Sequence, residues 1–327
     1  MKTRLWVLVM AVVAAASVGL HSQQQPTAPA SALPSPPQRE PAWAFPVQAG
    51  SLPAEAPEAK SLEGSSKKYT PQEIDNLLSP PDWFPEAHKP APGIVQKGHG
   101  AAPACGSCHL MSGLGHPESA DLTGFTADYI VQQMIDFKNG TRKDYARMNG
   151  ISKEVSDQEA REAAEWFASL SRKKWSRVVE AAMVPKTFVG QGRMRFLDPK
   201  DKGMEPIGNR IITVPENQEL ARARDPRSGF VSYVPPGSIA KGRTLAERGG
   251  NGKTVACSIC HGDGLKGLAN VPPLAGVHPI YLARQLYHFR EGGRRGANAA
   301  LMTRPVAKLT DEDIVNLSAY AASLPVQ

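Results

Sequence analysis

Two stretches of the chain repeat one pattern of apolar and polar positions, and they start 152 residues apart, at Tyr129 and Tyr281. In both stretches a Tyr, a Gln, a Phe and a Gly occupy matching places, and the glycines are Gly140 and Gly292. Apolar side chains recur at the spacing of an α-helix, so each stretch predicts an amphipathic helix that ends at its glycine. The repetition predicts two related units in one chain.

Each unit ends with a further predicted helix. Residues 156–170 match residues 310–324 at an offset of 154. Both stretches begin with Ser or Thr, followed three residues later by an acidic side chain that can bond back to the helix N-terminus. The two units are therefore predicted to be all-α, and they span residues 92–170 and 238–327.

The first 22 residues have the pattern of an export signal. Lys2 and Arg4 precede an apolar run over residues 5–20, which is shorter than the ~20 apolar residues that a membrane span prefers. No cysteine follows this run, which excludes a lipoprotein anchor. We expect cleavage and a periplasmic protein, with membrane association only if the segment stays uncleaved.

Residues 23–91 are rich in Pro, Ala, Ser and Gln, and this composition predicts a flexible tether. One short helix over residues 71–78 is predicted within it, because Thr70 and Glu73 can form a capping box around a Pro at the first helical position. Trp83 follows this helix, and we expect its side chain to pack on the N-terminal unit.

Residues 171–237 separate the two units. Runs of β-branched and aromatic residues at 187–189, 193–197 and 210–214 predict short strands between Pro- and Gly-rich turns. We predict an ordered, partly β connector that straps the two units together, in preference to a disordered linker.

The chain has four cysteines, and all of them belong to two copies of a Cys-x-x-Cys-His motif. The candidate residues are Cys105, Cys108 and His109 in the first copy, and Cys257, Cys260 and His261 in the second. This motif is typical of c-type haem attachment. Two thiols on one helical turn can each form a thioether with a porphyrin vinyl group, and the histidine can bind the iron. The sequence therefore predicts two covalently bound haem c groups.

Two other interpretations of the cysteines are weaker. Structural zinc sites usually place their cysteine pairs roughly 15–20 residues apart, whereas Cys108 and Cys257 are 149 positions apart. Two disulfides would suit an exported protein but would leave both histidines unexplained. Covalent haem attachment outside the cytoplasm also agrees with the predicted export signal.

One methionine lies at an equivalent place in each unit, in the predicted loop before the final helix. These methionines are Met148 and Met302. A soft thioether suits haem iron, and ligation by His and Met raises the reduction potential. Met134 is a rival in the first unit, but its counterpart is Leu286 on an apolar helix face, so a core position is expected. Three more histidines have no counterpart in the other unit and are expected at the surface or in local packing: His116, His278 and His288.

The chain resembles the tandem di-haem class I cytochromes c of bacteria, the cytochrome c-four type. The resemblance rests on the run Cys-Ser-Ile-Cys-His-Gly-Asp-Gly at 257–264, on Pro-Leu-Ala-Gly at 273–276, on the helix at 281–292, and on Met302 with the helix that follows. It covers the two units, about half of the chain, and is better in the second. The connector departs from that family, which joins its domains by a short linker.

The resemblance implies His109 and Met148 as axial ligands of one iron, and His261 and Met302 as those of the other. It also implies that a carbonyl of a proline loop orients the proximal histidine. Pro272 is a candidate in the second unit, while the first unit has Ala-Asp at that place. The predicted fold is therefore all-α, with two cytochrome c-like haem domains joined by a partly β connector.

The predicted function is electron transfer between a periplasmic or membrane donor and a terminal acceptor, with no catalytic residues. A haem enzyme such as a di-haem peroxidase is an alternative, as is the cytochrome subunit of a periplasmic dehydrogenase. A peroxidase needs an iron that can open to substrate, and a methionine in register in both units argues against it.

The formal net charge is +7, and it falls to +5 when Lys2 and Arg4 are removed with the signal. Basic residues cluster at 172–174, 222–224 and 290–295. A solvated basic face is one explanation, and steering toward an acidic redox partner is the functional one. Nucleic acid is not an expected partner of an exported haem protein, and no recognition motif in the chain supports one.

Overall fold

The computed structural model describes residues 39–326, which form two helical units and a strand-containing connector. The predicted export signal and the first part of the predicted tether lie outside the described residues. None of the helices within residues 39–326 combines the length and apolarity needed to cross a membrane.

The segment before the N-terminal unit folds back onto the rest of the protein. Ala44 and Phe45 are buried in the core of the C-terminal unit, and the Arg284 Nε–H donates a hydrogen bond to the Ala44 carbonyl at 2.8 Å. The prediction of a flexible tether is therefore wrong for the described part of residues 23–91. Large apolar side chains are few in this segment, but four of them are buried: Phe45, Leu62, Ile74 and Trp83.

A small hairpin and a short helix follow in the same segment. Strand β1 (Lys60–Ser61) pairs antiparallel with β2 (Lys68–Tyr69). Helix α1 (Pro71–Ile74) begins at the predicted capping box, in which Thr70 and Glu73 each bond the other's backbone. The helix ends four residues before the predicted position.

Trp83 connects this segment to the connector. Its indole lies in a buried cluster with Ile74 and Ala223, and its Nε1–H donates to the Ala223 carbonyl at 2.7 Å. The expectation that Trp83 packs on the N-terminal unit is therefore wrong, since its buried partners lie in residues 39–91 and in the connector.

The N-terminal unit contains five helices: α2 (Gly93–Gln96), α3 (Gly106–His109), α4 (Ala127–Lys138), α5 (Met148–Glu154) and α6 (Asp157–Ala168). Helix α6 begins at a capping box of Ser156 and Glu159, as the sequence predicts. Ile130 of α4 and Phe167 of α6 are buried in one apolar core. The predicted loop before the final helix contains a helix of its own, α5.

The connector contains seven strands and one helix: β3 (Ser176–Glu180), β4 (Met183–Pro185), β5 (Thr187–Val189), β6 (Arg195–Leu197), β7 (Met204–Pro206), β8 (Ile212–Pro215), α7 (Gln218–Arg222) and β9 (Phe230–Val234). Strand β9 lies between β3, which is parallel to it, and β8, which is antiparallel. Strands β4 and β7 form a second antiparallel pair, and β5 and β6 form a third. The three predicted strands correspond to β5, β6 and β8.

The connector bonds to the C-terminal unit directly. The Lys174 Nζ donates to the Ser323 carbonyl at 2.9 Å, and the Arg172 guanidinium donates to the Ala275 carbonyl. Because Ala223 also accepts from Trp83, the connector joins the C-terminal unit to the N-terminal segment.

The C-terminal unit contains five helices: α8 (Ser238–Arg248), α9 (Ser258–His261), α10 (Pro279–Arg290), α11 (Ala300–Val306) and α12 (Asp311–Ser323). Helix α12 begins at a capping box of Thr310 and Asp313. Helices α8 and α12 cross at Gly242, where a Cβ atom would lie 1.9 Å from the Asn316 carbonyl oxygen. Only a glycine permits this approach of the two backbones.

Candidate haem sites

The second Cys-x-x-Cys-His motif forms the short helix α9, and a backbone hydrogen bond connects it to helix α8. The Cys257 N–H donates to the Ala246 carbonyl at 2.8 Å, and the His261 N–H donates to the Cys257 carbonyl at 2.9 Å. Cys257 is half-buried, Cys260 is exposed and His261 is buried. The motif therefore presents both thiols and the imidazole from a single turn.

A cavity of about 700 Å³ opens beside this turn. Cys257, Cys260, His261 and Met302 all contribute to its wall. The remaining wall is largely apolar and includes Leu265, Leu282, Leu286, Phe289 and Val306. Its volume lies in the range of cofactor pockets. The structure thus brings together all four candidate residues of the second unit in one apolar cavity.

The imidazole of His261 is oriented by a backbone carbonyl. Its Nδ1 lies 2.8 Å from the Pro272 oxygen, in the loop that the resemblance indicates. Burial lowers the pKa of His261, which favours the neutral ring. With Nδ1–H donating to the carbonyl, Nε2 is left with its lone pair for a metal.

The first motif has the same arrangement without the proline. The Nδ1 of His109 lies 2.8 Å from the Ala120 oxygen, and burial lowers the pKa of this histidine as well. A carbonyl orients the ring equally well whether the residue that carries it is Pro or Ala. Ala120 is therefore the partner of His109 that the sequence left unassigned.

Burial raises the pKa of the Cys105 thiol to about 12 and that of the Cys257 thiol to about 11. Both thiols are therefore protonated at neutral pH when no group is bound. Among residues 39–326 no group of three or more His, Cys, Asp or Glu side chains is placed to hold a metal ion. The four cysteines are not paired with one another in this structure.

The two candidate methionines differ in how the structure places them. Met302 lies in α11 and lines the cavity of His261. Met148 is the first residue of α5, where its N–H donates to the Asp144 carboxylate at 2.7 Å. Met134 packs against the apolar core of the N-terminal unit, as expected. The described contacts thus group Met302, but not Met148, with the histidine of its own unit.

Two arginines that the sequence analysis missed lie where the units meet. Arg142 and Arg294 are joined by an antiparallel β-bridge. Arg142 donates to Tyr281 Oη at 3.1 Å and to Gln285 Oε1 at 3.0 Å. In the opposite direction, the Arg294 guanidinium donates to Tyr129 Oη of the N-terminal unit at 3.3 Å. The repeat could have revealed this pair, because the two arginines have the same offset of 152 as the two tyrosines.

These two arginines test whether the cavity fits a haem. Both line the cavity of His261, and burial, followed by the charge of Arg142, lowers the pKa of Arg294. Their hydrogen-bond partners across the junction are neutral hydroxyl and amide oxygens. Two carboxylates lie near them: Asp136 in the wall of the same cavity, and Asp144 beside Arg142. The thiols, the imidazole and the apolar walls suit a covalently bound haem, and the arginines can pair with its carboxylates. The residues present therefore fit haem c.

The three histidines without a counterpart in the other unit are at least partly buried, and His116 is half-buried. His278 and His288 are buried, and burial lowers the pKa of each to about 3. The ring of His288 lies 5.7 Å from that of Tyr145 in the N-terminal unit. Local packing, one of the two expectations, describes them.

Comparison with known proteins identifies the class. The family model described as Cytochrome c matches residues 239–325. Cytochrome c-554(548) of Halomonas halodenitrificans is 43% identical over 75 residues, which are 23% of this chain and 90% of that protein. Cytochrome c4 of Pseudomonas aeruginosa is 28% identical over 238 residues, 72% of this chain and 90% of its own length. A protein of Thiomonas intermedia named thiosulfate dehydrogenase electron acceptor is 24% identical over 230 residues, 69% of this chain and 80% of that protein.

The chain belongs to the cytochrome c family. It is similar to the di-haem cytochromes c4 along most of its length, and it carries two covalently bound haem c groups. The comparisons confirm the predicted electron carrier over a haem enzyme. They also confirm the resemblance on which the prediction rested.

Proposed function

We propose that the two haem groups are held by the residues of the two motifs and by one methionine each. Cys105 and Cys108 attach the first haem, and Cys257 and Cys260 attach the second. His109 and Met148 are the axial ligands of the first iron, and His261 and Met302 are those of the second. The observation that carries the assignment in the second unit is the single cavity shared by both thiols, the imidazole and Met302. The assignment in the first unit is supported by the repeat, in which Met148 lies in register with Met302.

A bound haem supplies an iron that changes by one electron. The chain supplies the conditions under which that change is easy. The hydrogen bonds from His109 and His261 to backbone carbonyls fix the rings and raise their basicity as ligands. An apolar wall limits water near the iron, and a thioether ligand favours the reduced state.

The donor and the acceptor are redox proteins outside the cytoplasm. Residues 1–22 act as the export signal, and attachment takes place in the periplasm. The relatives named as electron acceptors of thiosulfate dehydrogenase favour a donor of the dehydrogenase class. The +5 charge of the processed chain suits a partner with an acidic surface.

Replacement of each methionine tests the ligand assignment. We expect Met302→Ala and Met148→Ala each to convert one of the two low-spin haems of the purified protein to a high-spin or exogenously ligated form, because one ligand is lost. Visible absorption of the oxidised protein, with and without cyanide, measures this conversion. Met134→Ala is the matched control and should leave both haems low-spin.

The opposite pattern rejects the assignment. If Met134→Ala converts a haem and Met148→Ala does not, Met134 is the first ligand. If none of the three variants alters the spectrum, the irons have other axial ligands. A wild-type protein with fewer than two haems per chain would contradict the proposal as a whole.

A further inference from the structure

The two haem-attachment motifs differ in how much of them solvent can reach. Gly106 and Ser107, between the cysteines of the first motif, are buried. Ser258 and Ile259, at the same places in the second, are exposed, and 70% of Ile259 is accessible. The repeat therefore has one covered motif and one open motif.

Residues outside the N-terminal unit cover the first motif. The Arg224 side chain, from the connector, is half-buried there, and its guanidinium donates to the Ser107 carbonyl. The Leu77 carbonyl accepts from the Ala104 N–H at 2.9 Å. Pro80 lies so near that a Cβ atom on Gly106 would be 3.4 Å from its Cγ. Both the connector and the segment before α2 thus close this edge of the first site.

The open motif is surrounded by exposed apolar side chains. Four residues line the mouth of the His261 cavity and remain 44–72% exposed: Val255, Ile259, Leu268 and Leu301. We call these four residues the second-haem rim. The first unit has Pro103, Ser107 and His116 at the positions of the first three, and none of these is exposed. A cluster of exposed apolar residues at a cofactor edge is typical of an interaction site.

Two exposed basic side chains and two exposed acidic ones, Asp128 and Asp263, lie beside the second-haem rim. Asp128 pairs with Arg161, so the two basic side chains outnumber the one remaining carboxylate. Lys266 precedes Leu268 by two residues, and Arg304 lies one helical turn after Leu301; both side chains are exposed. Neither forms an ion pair with any residue between 39 and 326. The stretches 266–270 and 299–304 contain no acidic residue. The rim therefore combines apolar contact with a positive border, which attracts an acidic surface.

We propose that redox partners exchange electrons with this protein through the second-haem rim alone, and that these partners present an acidic border around their own cofactor. This inference rests on the proposed function, because it assigns a route to the electrons that the two haem groups carry. One electron passes from the reduced partner cofactor to Fe(III) of the second haem, which becomes Fe(II). The first haem then receives its electron from inside the molecule.

An acidic flavodoxin in its hydroquinone form provides a defined probe. Its flavin hydroquinone anion gives one electron to Fe(III) and becomes the neutral semiquinone, with no proton transferred. Stopped-flow absorbance gives the second-order rate constant for reduction of the oxidised di-haem protein. We expect Leu268→Asp to lower this constant at least about tenfold, within the range over which association rates of one interface vary.

The matched control is Met204→Asp in strand β7, away from the cavity. Met204 is 53% exposed and Leu268 is 59% exposed, so the change in charge and in surface is equivalent. We expect the control to alter the rate less than about twofold. If partners also exchanged electrons directly with the first haem at an equal rate, Leu268→Asp would lower the overall rate by no more than about half. A loss of this size, or equal losses in the two variants, would overturn the proposal.

The charge border gives an independent test. Arg304→Glu should weaken the dependence of the rate on ionic strength, whereas Lys202→Glu in the connector should leave it unchanged. Equal salt dependence in these two variants also overturns the proposal. This pair decides the question if Leu268→Asp does not mature. Excess dithionite must still reduce two haems per chain in every variant; its failure in the wild type would count against the proposed function and not against the docking surface.

Discussion

The crossing of helices α8 and α12 leads to a prediction about how the second motif is supported. A methyl group at Gly242 would meet the Asn316 carbonyl oxygen at 1.9 Å, whereas ordinary contacts begin at 3.4 Å. The helices must therefore separate by about 1.5 Å. Because the neighbouring atom belongs to a backbone, rotation of a side chain cannot relieve the clash.

The cost can be worked out from two opposing effects. Overpacking of this kind destabilises a core by about 1–3 kcal/mol, and a clash with a backbone belongs at the upper end. Alanine returns up to about 1 kcal/mol through its higher helix propensity. The net expectation for Gly242→Ala is a loss of about 2 kcal/mol in the free energy of unfolding.

Guanidinium denaturation of the holoprotein measures this loss. A 2 kcal/mol change corresponds to a midpoint lower by roughly 0.3–1 M, given the usual denaturant slopes. The Soret band should report the change together with the helical circular dichroism, because Cys257 bonds to Ala246 of the displaced helix α8. A stability loss seen in both signals links the crossing to the second haem site.

Gly150→Ala in helix α5 is the matched control. A Cβ atom there would meet nothing within 4 Å, so only the gain in helix propensity remains. We expect this variant to be as stable as the wild type or slightly more stable. The argument from backbone approach fails if Gly242→Ala keeps the wild-type midpoint, or if the two glycine variants lose stability equally.

Two further predictions concern charged groups inside the fold. Burial raises the pKa of Asp121 to about 6, although hydrogen bonds from Thr123 act in the opposite direction. The folded protein therefore favours the neutral carboxyl, and the stability that this group contributes is fully present below about pH 4 and is lost as the pH rises through 6. The unfolding free energy of Asp121→Asn should therefore exceed that of the wild type by roughly 3 kcal/mol at pH 7 and by little at pH 4; a gap independent of pH would contradict this. Arg294→Leu removes a half-buried positive charge that lines the cavity. The potential of one haem should therefore fall in a spectroelectrochemical titration, because a nearby positive charge disfavours the oxidised iron. The exposed neighbour Arg295→Leu serves as control, and an equal fall in both variants would rule out the role of burial.

The amino-acid sequence by itself determined the local chemistry of this protein. Two Cys-x-x-Cys-His motifs, two methionines in register and three capping boxes could all be found because each depends on residues near one another in the chain. The repeat placed α4 and α10 within two residues of their predicted starts. Local patterns also located β5, β6 and β8. They did not locate the other four strands of the connector, which are β3, β4, β7 and β9.

Strand β3 shows why the rest escaped. It pairs in parallel with β9, and Ser176 lies beside Phe230, 54 residues away. Nothing in either short run identifies the other, since a parallel pair needs a long crossover. The same holds for Phe45. It lies in a segment with few large apolar residues, yet its ring is buried beside Tyr287, more than two hundred residues further along the chain.

Only the tertiary structure decided how the two sites differ. Both motifs have the same Cys-x-x-Cys-His spacing, yet Arg224 covers the first and the second is open at Ile259. The residues between the cysteines differ, Gly-Ser against Ser-Ile, but they do not show which distant segment packs on a motif. Arg142 and Arg294 likewise acquire their meaning by facing each other across the junction of the units. Attachment depends on bonding within one turn of helix, which a short sequence specifies, whereas access and charge pairing depend on which distant segments pack against that turn.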